Sequence, residues 1–285
     1  MALSPYFIDE QLHMECYYSL FEAHYDSTFV FNGESHDFWE CFLVLSGAVC
    51  VSADDRVYHL TQNQIIFHKP MELHKFSVES SNGTDVLIFS FKISGRLADQ
   101  LENKVFRLSE TQKRTVHSLL EYMREQYNTV GDFSQKMCVH TYKVRHYLKV
   151  SHNVPEFLQV ISTYIYRLFL SLISNGHIST ESTEPNALIF RQAVNYLNSQ
   201  LLGQPSVQMV AENCNTSQAS LQRVFQKYAG MSVHKFFLKL KLIAATEYLR
   251  QGVNVTEVAE KLGFSSQAYF SACYERETGK WPSEV

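Results

Sequence analysis

A helical unit occurs twice near the carboxyl end of the chain, and this repeat constrains the fold more than any other sequence feature. The run AENCNTSQASLQRVFQKYAG at residues 211–230 recurs as AEKLGFSSQAYFSACYERETG at residues 259–279. The first residues of the two runs stand 48 apart and the last residues 49 apart, so the extra residue falls in a turn. Because length changes collect in loops while elements keep their phase, the pattern indicates a duplicated structural unit.

Each copy has the pattern of two helices joined by a tight turn. Apolar residues recur at helical spacing in both halves of each copy. Ser206 and Asn254 are predicted to cap the first helix of their copies, because their side chains can accept a hydrogen bond from a free backbone N–H. Small residues at Ala211 and Ala259 allow the second helix to cross close to the first. Gly263 suits a turn that requires a positive φ.

The second helix of the first copy divides into an apolar face and a polar face that is uncharged apart from one arginine. Glutamine and arginine can form paired hydrogen bonds with the edges of adenine and guanine in the major groove. The alternative is an ordinary helical hairpin with a solvated polar face, which two copies at matched spacing disfavour. The residues predicted to contact DNA in this copy are Ser217, Gln218, Ala219, Gln222, Arg223 and Gln226.

Residues 186–285 resemble the DNA-binding domain of the AraC/XylS family of bacterial transcription regulators. The resemblance rests on SLQRVFQKYAGMSVHKF, LKLIAATEYL and VTEVAEKLGFSSQAYFSACYERETGKWPSE, in that order. It implies two helix-turn-helix units joined by a long helix at roughly residues 234–251, which holds the two reading helices about 34 Å apart along the duplex. The implied partner is double-stranded DNA.

The second copy departs from the family pattern, since Ala272 stands where the family often has arginine. We therefore expect base recognition to come mainly from Gln222 and Arg223, and the second unit to act mainly as a phosphate clamp. Backbone N–H groups at the helix starts, at Ser217 and Ser266, are predicted to contact phosphates. Lys241 also replaces a usual arginine. The residues predicted to contact DNA in the second copy are Ser266, Gln267, Ala268, Ser271 and Ala272.

The amino-terminal part contains short apolar runs separated by turn residues, which predicts a β-barrel or sandwich. The predicted strands lie at residues 41–45, 49–51, 57–60, 64–67, 74–78 and 86–91. In this part of the chain, His36-x3-Glu40-x6-Gly47 and NQIIFHKPMELH at residues 63–74 resemble the two cupin signatures, with Glu34 in place of the first histidine. This resemblance fits an effector-binding domain.

The cupin resemblance leaves the chemistry of the amino-terminal domain open. In metal-dependent cupins the residues corresponding to His36, Glu40 and His74 bind a divalent ion, but one family ligand is absent here, so no metal and no cofactor are assigned. We instead expect His36, Trp39, Glu40 and His74 to contact a small polar effector. One alternative is a metal-dependent cupin enzyme fused to a degenerate helix-turn-helix module. Another is an interaction protein that has lost DNA binding.

Two helices with apolar stripes are predicted between these parts. Residues 108–127 and 155–173 carry apolar side chains at helical spacing. They predict a homodimer interface, the alternative being helices packed on their own barrel. The predicted divisions are a barrel at 1–100, a helical dimerisation region at 101–177, a linker at 178–186 and the DNA-binding domain at 187–285.

Charge and composition agree with this division. Residues 186–285 carry 10 basic and 7 acidic side chains, whereas residues 1–185 carry 15 and 22. This modest positive charge predicts limited affinity for a single site, so a dimer on two half-sites is expected. The six cysteines show no zinc-ligand spacing, and no leader or membrane segment is evident. The sequence thus predicts an α+β chain, a cytoplasmic regulator and not an enzyme, which contacts RNA polymerase if it is an activator.

Overall fold

The computed structural model describes residues 6–7, 9–31, 33–130, 142–148, 155–176, 178 and 181–285. At residues 126–130, 142–148, 155 and 175 the description covers the backbone alone.

The described strands form two antiparallel sheets in the amino-terminal half. They are β1 (His13–Tyr25), β2 (Trp39–Ser46), β3 (Ala48–Ala53), β4 (Arg56–Thr61), β5 (Gln64–His68), β6 (His74–Val78), β7 (Thr84–Ser94), β8 (Val105–Arg107) and β9 (Tyr142–Leu148). One sheet has the order β8-β5-β2-β7-β1-β9 and the other β4-β3-β6. The six predicted strands are confirmed as β2 to β7, whereas β1, β8 and β9 were not predicted.

The predicted barrel is not closed, because the described strands divide between two facing sheets. The chain crosses from one sheet to the other at Gly47, between β2 and β3, where φ is +82°. A Cβ atom there would lie 2.4 Å from Thr84 Oγ1 and 2.6 Å from the Gly83 carbonyl oxygen. Only glycine fits this crossing, and the two sheets enclose a core that includes Phe42, Val44 and Phe76.

Two helices, α1 (Glu110–Val130) and α2 (Pro155–Asn175), cover the outer face of the six-stranded sheet. Their apolar stripes pack against aromatic side chains of that sheet. Members of this cluster are Val116, Leu119, Leu120, Met123, Phe157, Ile161, Leu168 and Leu172 on the helices and Phe67, Phe89 and Phe91 on the strands. The stripes therefore pack within the chain, as in the alternative of helices packed on their own barrel. A homodimer stays a prediction.

The region predicted as helical at residues 101–177 is mixed, because β8 and β9 also lie in it. These strands extend both edges of the larger sheet, where pairing depends on distant partners rather than on local pattern. Residues 131–141 and 149–154 of the region lie outside the described residues.

One helical stretch, Glu156–Ser174, is long and apolar enough to cross a membrane by length and composition alone. Its buried side chains, among them Ile161, Ile165 and Leu168, belong to the core beneath the sheet. Its outer positions include Gln159, Thr163 and Arg167, so the helix is amphipathic. Packing against the sheet accounts for its apolar content.

From Pro185 onward, the secondary structure of the described residues is helical. It contains α3 (Pro185–Ser199), α4 (Val207–Asn213), α5 (Gln218–Ala229), α6 (Val233–Arg250), α7 (Val255–Lys261) and α8 (Gln267–Thr278). Short 3₁₀ helices occur at Ala98–Leu101 and Pro282–Glu284. Helices α3, α4 and α5 enclose one apolar core with the start of α6, and α7 and α8 enclose another with the end of α6. The predicted pair of helix-turn-helix units on one connecting helix is confirmed.

The predicted caps and turn are also confirmed. Ser206 Oγ accepts a hydrogen bond from Met209 N at 3.2 Å, and Asn254 Oδ1 accepts one from Glu257 N at 2.9 Å. Gly263 has a φ of +67°. Lys241 is buried and donates hydrogen bonds to the carbonyl oxygens of Gly203 and Leu262, at 2.8 and 2.6 Å. This lysine therefore connects the two helix-turn-helix units through hydrogen bonds.

The described residues of the predicted linker, 178 and 181–186, begin along the strands of the amino-terminal domain. Ile178 N donates to Val105 O at 2.8 Å, and Ser182 N donates to Val57 O at 2.6 Å. Residues 179 and 180 are outside the described part of the chain. Its described ends are thus hydrogen-bonded to strands, and the last linker residues begin α3.

Candidate DNA interface and effector site

The first reading helix, α5, presents a polar face at its amino-terminal end. Ser217 Oγ accepts a hydrogen bond from Ser220 N at 3.1 Å and so caps the helix. Gln218, Ala219 and Arg223 are exposed, and the Arg223 guanidinium contacts only Ser220 Oγ among the described residues, at 3.1 Å. The geometry leaves the Arg223 donors available to an external acceptor.

Gln222 is less accessible than the sequence pattern indicates. It is half-buried, and its Oε1 accepts a long hydrogen bond of 3.4 Å from Val233 N at the start of α6. Its amide nitrogen has no partner among the hydrogen bonds found in the described residues. Gln226 is exposed, one turn farther along the same helix.

The second reading helix, α8, repeats the cap but has Ala272 at the position that corresponds to Arg223, and its exposed arginine is Arg276 in the last turn. Ser266 Oγ accepts from Tyr269 N at 3.1 Å. Gln267, Ala268 and Ala272 are exposed and Ser271 is half-buried, while Gln267 Oε1 accepts from Thr256 Oγ1 at 2.8 Å. Tyr269 is also exposed, and the sequence pattern did not reveal it because aromatic residues at helical spacing usually mark a core.

The carboxyl-terminal end of α5 is docked on the smaller sheet. Lys75 on β6 is buried and its ammonium donates to the carbonyl oxygens of Gln226, at 3.1 Å, and Lys227. Ser52 on β3 donates to the Tyr228 carbonyl oxygen. The cation meets the negative end of the helix dipole. The exposed start of α5 and its docked end are therefore parts of one rigid helix.

A compact group of histidines and carboxylates lies at the end of the barrel near this interface. We call it the His–Glu cluster and define it as Glu34, His36, Glu40 and His74. Their potential ligand atoms all lie within 4.8 Å of one another. His74 Nε2 is 3.5 Å from Glu40 Oε1 and 3.8 Å from Glu34 Oε1, and His36 Nε2 is 3.9 Å from an oxygen of each carboxylate.

The electrostatics of the cluster favour charged carboxylates. Burial opposes ionisation of Glu40, but the adjacent His74 outweighs it and lowers the pKa of Glu40. Burial also disfavours the charged form of His74, yet Glu34 and Glu40 raise its pKa to about 10. Burial lowers the pKa of His36. In the absence of another cation, a proton on His74 would thus offset the negative charge of the two carboxylates.

A second buried pair, His68 and Glu72, packs against the His–Glu cluster. His68 Nδ1 and Glu72 Oε2 are 2.6 Å apart, and the His68 ring stacks on His74 with centroids 4.2 Å apart. Burial lowers the pKa of His68 well below its usual value and raises the pKa of Glu72 to about 7. The sequence pattern did not single out this pair, although His68 and Glu72 lie in the second cupin-like run.

Trp39 does not lie beside the other predicted effector contacts. It is 6% exposed and belongs to the core between the larger sheet and the helices. Because successive side chains of a strand point to opposite faces, Trp39 and Glu40 are separated by the sheet itself. The structure thus corrects the placement of Trp39, and it brings His36, Glu40 and His74 together with Glu34.

A cleft of about 390 Å³ begins beside the cluster and extends to the second helix-turn-helix unit. On the barrel side it is lined by Ser35, His36, Asp37 and Met71, and on the helical side by α6, α8 and the end of the chain. Asp37 Oδ2 and Arg250 Nη2 face each other at 3.8 Å across the two domains. A ligand there would touch both domains.

Family comparisons match both halves of the chain. A helix-turn-helix domain family matches residues 210–285, and the AraC-like ligand binding domain family matches residues 16–131. The second match begins within β1, extends through β8 and includes the His–Glu cluster.

Individual relatives are transcriptional regulators. The HTH-type transcriptional regulator GbdR of Pseudomonas aeruginosa is 41% identical over 71 residues, which are 25% of this chain and 19% of GbdR. The chain thus matches about a fifth of the length of that relative. The HTH-type transcriptional activator RhaS of Escherichia coli is 22% identical over 255 residues, 88% of this chain and 85% of RhaS.

Solved structures of this class give weaker similarities. ToxT from Vibrio cholerae, bound to an unsaturated fatty acid, is 11% identical over 97% of this chain and 95% of that chain, with a TM-score of 0.37. The DNA-binding domain of AdpA, in complex with a target DNA, is 22% identical over 36% of this chain and 89% of that chain, with a TM-score of 0.32.

The matched families and relatives are those of DNA-binding regulators, which does not favour the cupin-enzyme alternative. A ligand-binding domain precedes two helix-turn-helix units, in the order that the sequence motifs predict. The chain belongs to the AraC family of transcriptional regulators.

Proposed function

We propose that this chain regulates transcription by binding a specific DNA sequence through α5 and α8, under the control of a small ligand bound in the amino-terminal domain. The observation that carries the proposal is the exposed, acid-free face at the start of α5, where Arg223 has no carboxylate partner among the described residues. A free guanidinium next to glutamines suits the edges of guanine and adenine. The protein would act in the cytoplasm as a homodimer on two half-sites.

Effector control is supported by continuity between the ligand-binding end of the barrel and the first reading helix. His74 of the His–Glu cluster and Lys75, which holds the end of α5, are adjacent on β6. Alternation along the strand directs the two side chains to opposite faces. A ligand that moves His74 would therefore shift the residue that anchors α5. Such a ligand changes DNA affinity only if it binds two arrangements with different affinity.

Fluorescence anisotropy on a duplex from the DNA upstream of the chain's own gene tests DNA binding. Selection from a randomised duplex pool then gives the preferred sequence. We expect binding that weakens steeply with salt, because phosphate contacts release counterions, and a sequence preference that survives competitor DNA. Equal affinity for all duplexes, or no salt-dependent binding, would support the alternative of an interaction protein that has lost DNA binding.

The second reading helix gives a separate prediction. Ala272 is exposed at the position that corresponds to Arg223 in the repeat. If α8 lies in a groove, Ala272→Arg adds a cation beside DNA and should raise affinity about tenfold at low salt, the scale of one good contact. Anisotropy titrations at several salt concentrations measure this gain.

The matched control for that variant is Ala219→Arg, which adds the same charge on α5, the helix already expected in the groove. A gain with Ala219→Arg but none with Ala272→Arg would show that α8 does not lie in a groove of the DNA.

RNA polymerase is a further proposed partner if the chain is an activator.

A further inference from the structure

The His–Glu cluster contains two histidine nitrogens that are buried and have no hydrogen-bond partner among the described residues. They are the Nε2 atoms of His36 and His74. His74 is 3% exposed, and its Nε2 faces the carboxylates of Glu34 and Glu40. Buried polar atoms are rarely left without a partner, so this position calls for a specific occupant.

The opposite nitrogens of the two rings show where the ring hydrogens lie. His36 Nδ1 lies 2.9 Å from the Phe38 carbonyl oxygen, and His74 Nδ1 lies 3.1 Å from the Glu72 carbonyl oxygen. A carbonyl oxygen can only accept, so each Nδ1 carries a hydrogen. This outer hydrogen bond is the one that metal-binding histidines almost always make. Nε2 of His74 becomes an acceptor when the proton held by Glu34 and Glu40 leaves, so a bound ion would take the place of that proton.

The carboxylates are positioned in the same way. Glu40 Oε2 accepts a hydrogen bond from Ser90 Oγ at 3.2 Å, and Ser90 Oγ accepts one from Ser19 Oγ at 2.9 Å. Glu34 is joined to β6 by two backbone hydrogen bonds with His74, both 3.0 Å. Its side chain is about half exposed and completes the open side of the cluster.

The distances fit an ion at the centre of four ligands. Tetrahedral bonds of about 2.0–2.2 Å to nitrogen and oxygen place neighbouring ligand atoms about 3.3–3.6 Å apart. The observed separations between histidine and carboxylate atoms are 3.5–3.9 Å. The widest separations within the cluster reach 4.8 Å and would have to shorten by about 1 Å, which is within the range of side-chain rotation and needs no change in the fold.

We propose that Glu34, His36, Glu40 and His74 form a binding site for a first-row divalent transition metal ion such as Zn²⁺, with Glu34 as the fourth ligand in the position where the cupin pattern has histidine. Two imidazoles and two carboxylates suit such an ion better than Mg²⁺ or Ca²⁺, which prefer all-oxygen sites. The statement that this ion is the effector rests on the proposed function. The statement that the ion binds at this site does not.

Metal binding is tested on the purified full chain, stripped with a chelator and titrated with Zn²⁺ by isothermal calorimetry, with Co²⁺ absorption as a second readout. We expect one ion per chain and visible Co²⁺ bands typical of a four-coordinate nitrogen–oxygen site. Glu34→Gln should weaken Zn²⁺ binding at least about tenfold and His74→Gln about a hundredfold or more. Glu34 is half exposed, so Glu34→Gln should keep the thermal unfolding temperature of the apo protein.

Two control variants separate this site from adventitious binding. His117→Gln removes an exposed histidine that pairs with Glu121 on α1, and His59→Gln removes a histidine from a second group with Cys50 and Glu79. Both should bind Zn²⁺ as the wild type does. The proposal is overturned if the wild type takes up no Zn²⁺ in the titration, or if Glu34→Gln and His74→Gln bind it unchanged. Zn²⁺ binding without any change in DNA affinity would keep the site and remove its role as effector.

Discussion

Replacing Gln222 and Arg223 together with alanine is expected to lower affinity for the preferred DNA sequence at least about 30-fold and to flatten the ranking of sequences. Each paired hydrogen bond to a base edge contributes about 1–3 kcal/mol of discrimination. Arg223 should carry the larger share, because it is exposed, whereas Gln222 is half-buried and already accepts a hydrogen bond from Val233 N. Alanine is a good helix former, so α5 should persist.

The measurement is anisotropy with the preferred duplex and with a set of single-base variants, for the double variant and for each single variant. Arg114→Ala is the matched control, since it removes one exposed arginine from α1, far along the chain from the reading helices. It should leave the ranking unchanged. An identical ranking in the double variant would show that α5 does not read bases, and a uniform loss across sequences would assign Arg223 to phosphate contact.

Local pattern predicted much of this fold, because helix caps, turns and alternating strands depend on near neighbours. Ser206, Asn254 and Gly263 lie where short-range rules place them. Strand β1 was not predicted because its first residues are mostly exposed and buried and exposed side chains do not alternate regularly along it. The division into two sheets was not predicted from the sequence either, because it depends on pairings between distant strands.

The candidate effector site shows the same limit. The cupin-like runs predicted His36, Glu40 and His74, which the structure brings together with Glu34. Adjacent residues of a strand face opposite sides of a sheet, so alternation along β2 by itself is enough to separate Trp39 from Glu40. The contact from Lys75 to α5 could not be predicted, because its acceptors are backbone carbonyl oxygens 151 and 152 residues away. Side-chain patterns carry no information about such acceptors.

Lys75→Met is expected to release the end of α5 from the smaller sheet. Methionine keeps the length of the apolar stem and removes the ammonium that donates to the carbonyl oxygens of Gln226 and Lys227. The Gln226 carbonyl oxygen keeps the Gly230 N–H as a donor at 3.2 Å, but the Lys227 carbonyl oxygen loses the ammonium, and a buried acceptor without a donor costs about 1–3 kcal/mol. Amide hydrogen exchange at the end of α5 should therefore accelerate by about five- to a hundredfold, whereas exchange within the second unit should stay as it is.

Release of α5 should also uncouple the barrel from DNA. If Lys75 transmits ligand binding, the ratio of DNA affinities measured with and without Zn²⁺ should fall toward one in Lys75→Met, from a wild-type value of about 5–150 typical of coupled sites. The matched control is Lys69→Met, which removes the same charge from the loop before β6, where Lys69 faces Asp54 and Glu102 at 3.9 Å. Faster exchange with an unchanged ratio would mean that the contact stabilises the interface without transmitting a signal. Unchanged exchange would mean that Ser52 and the apolar contacts of Cys50, Val57 and Leu73 hold α5 on their own.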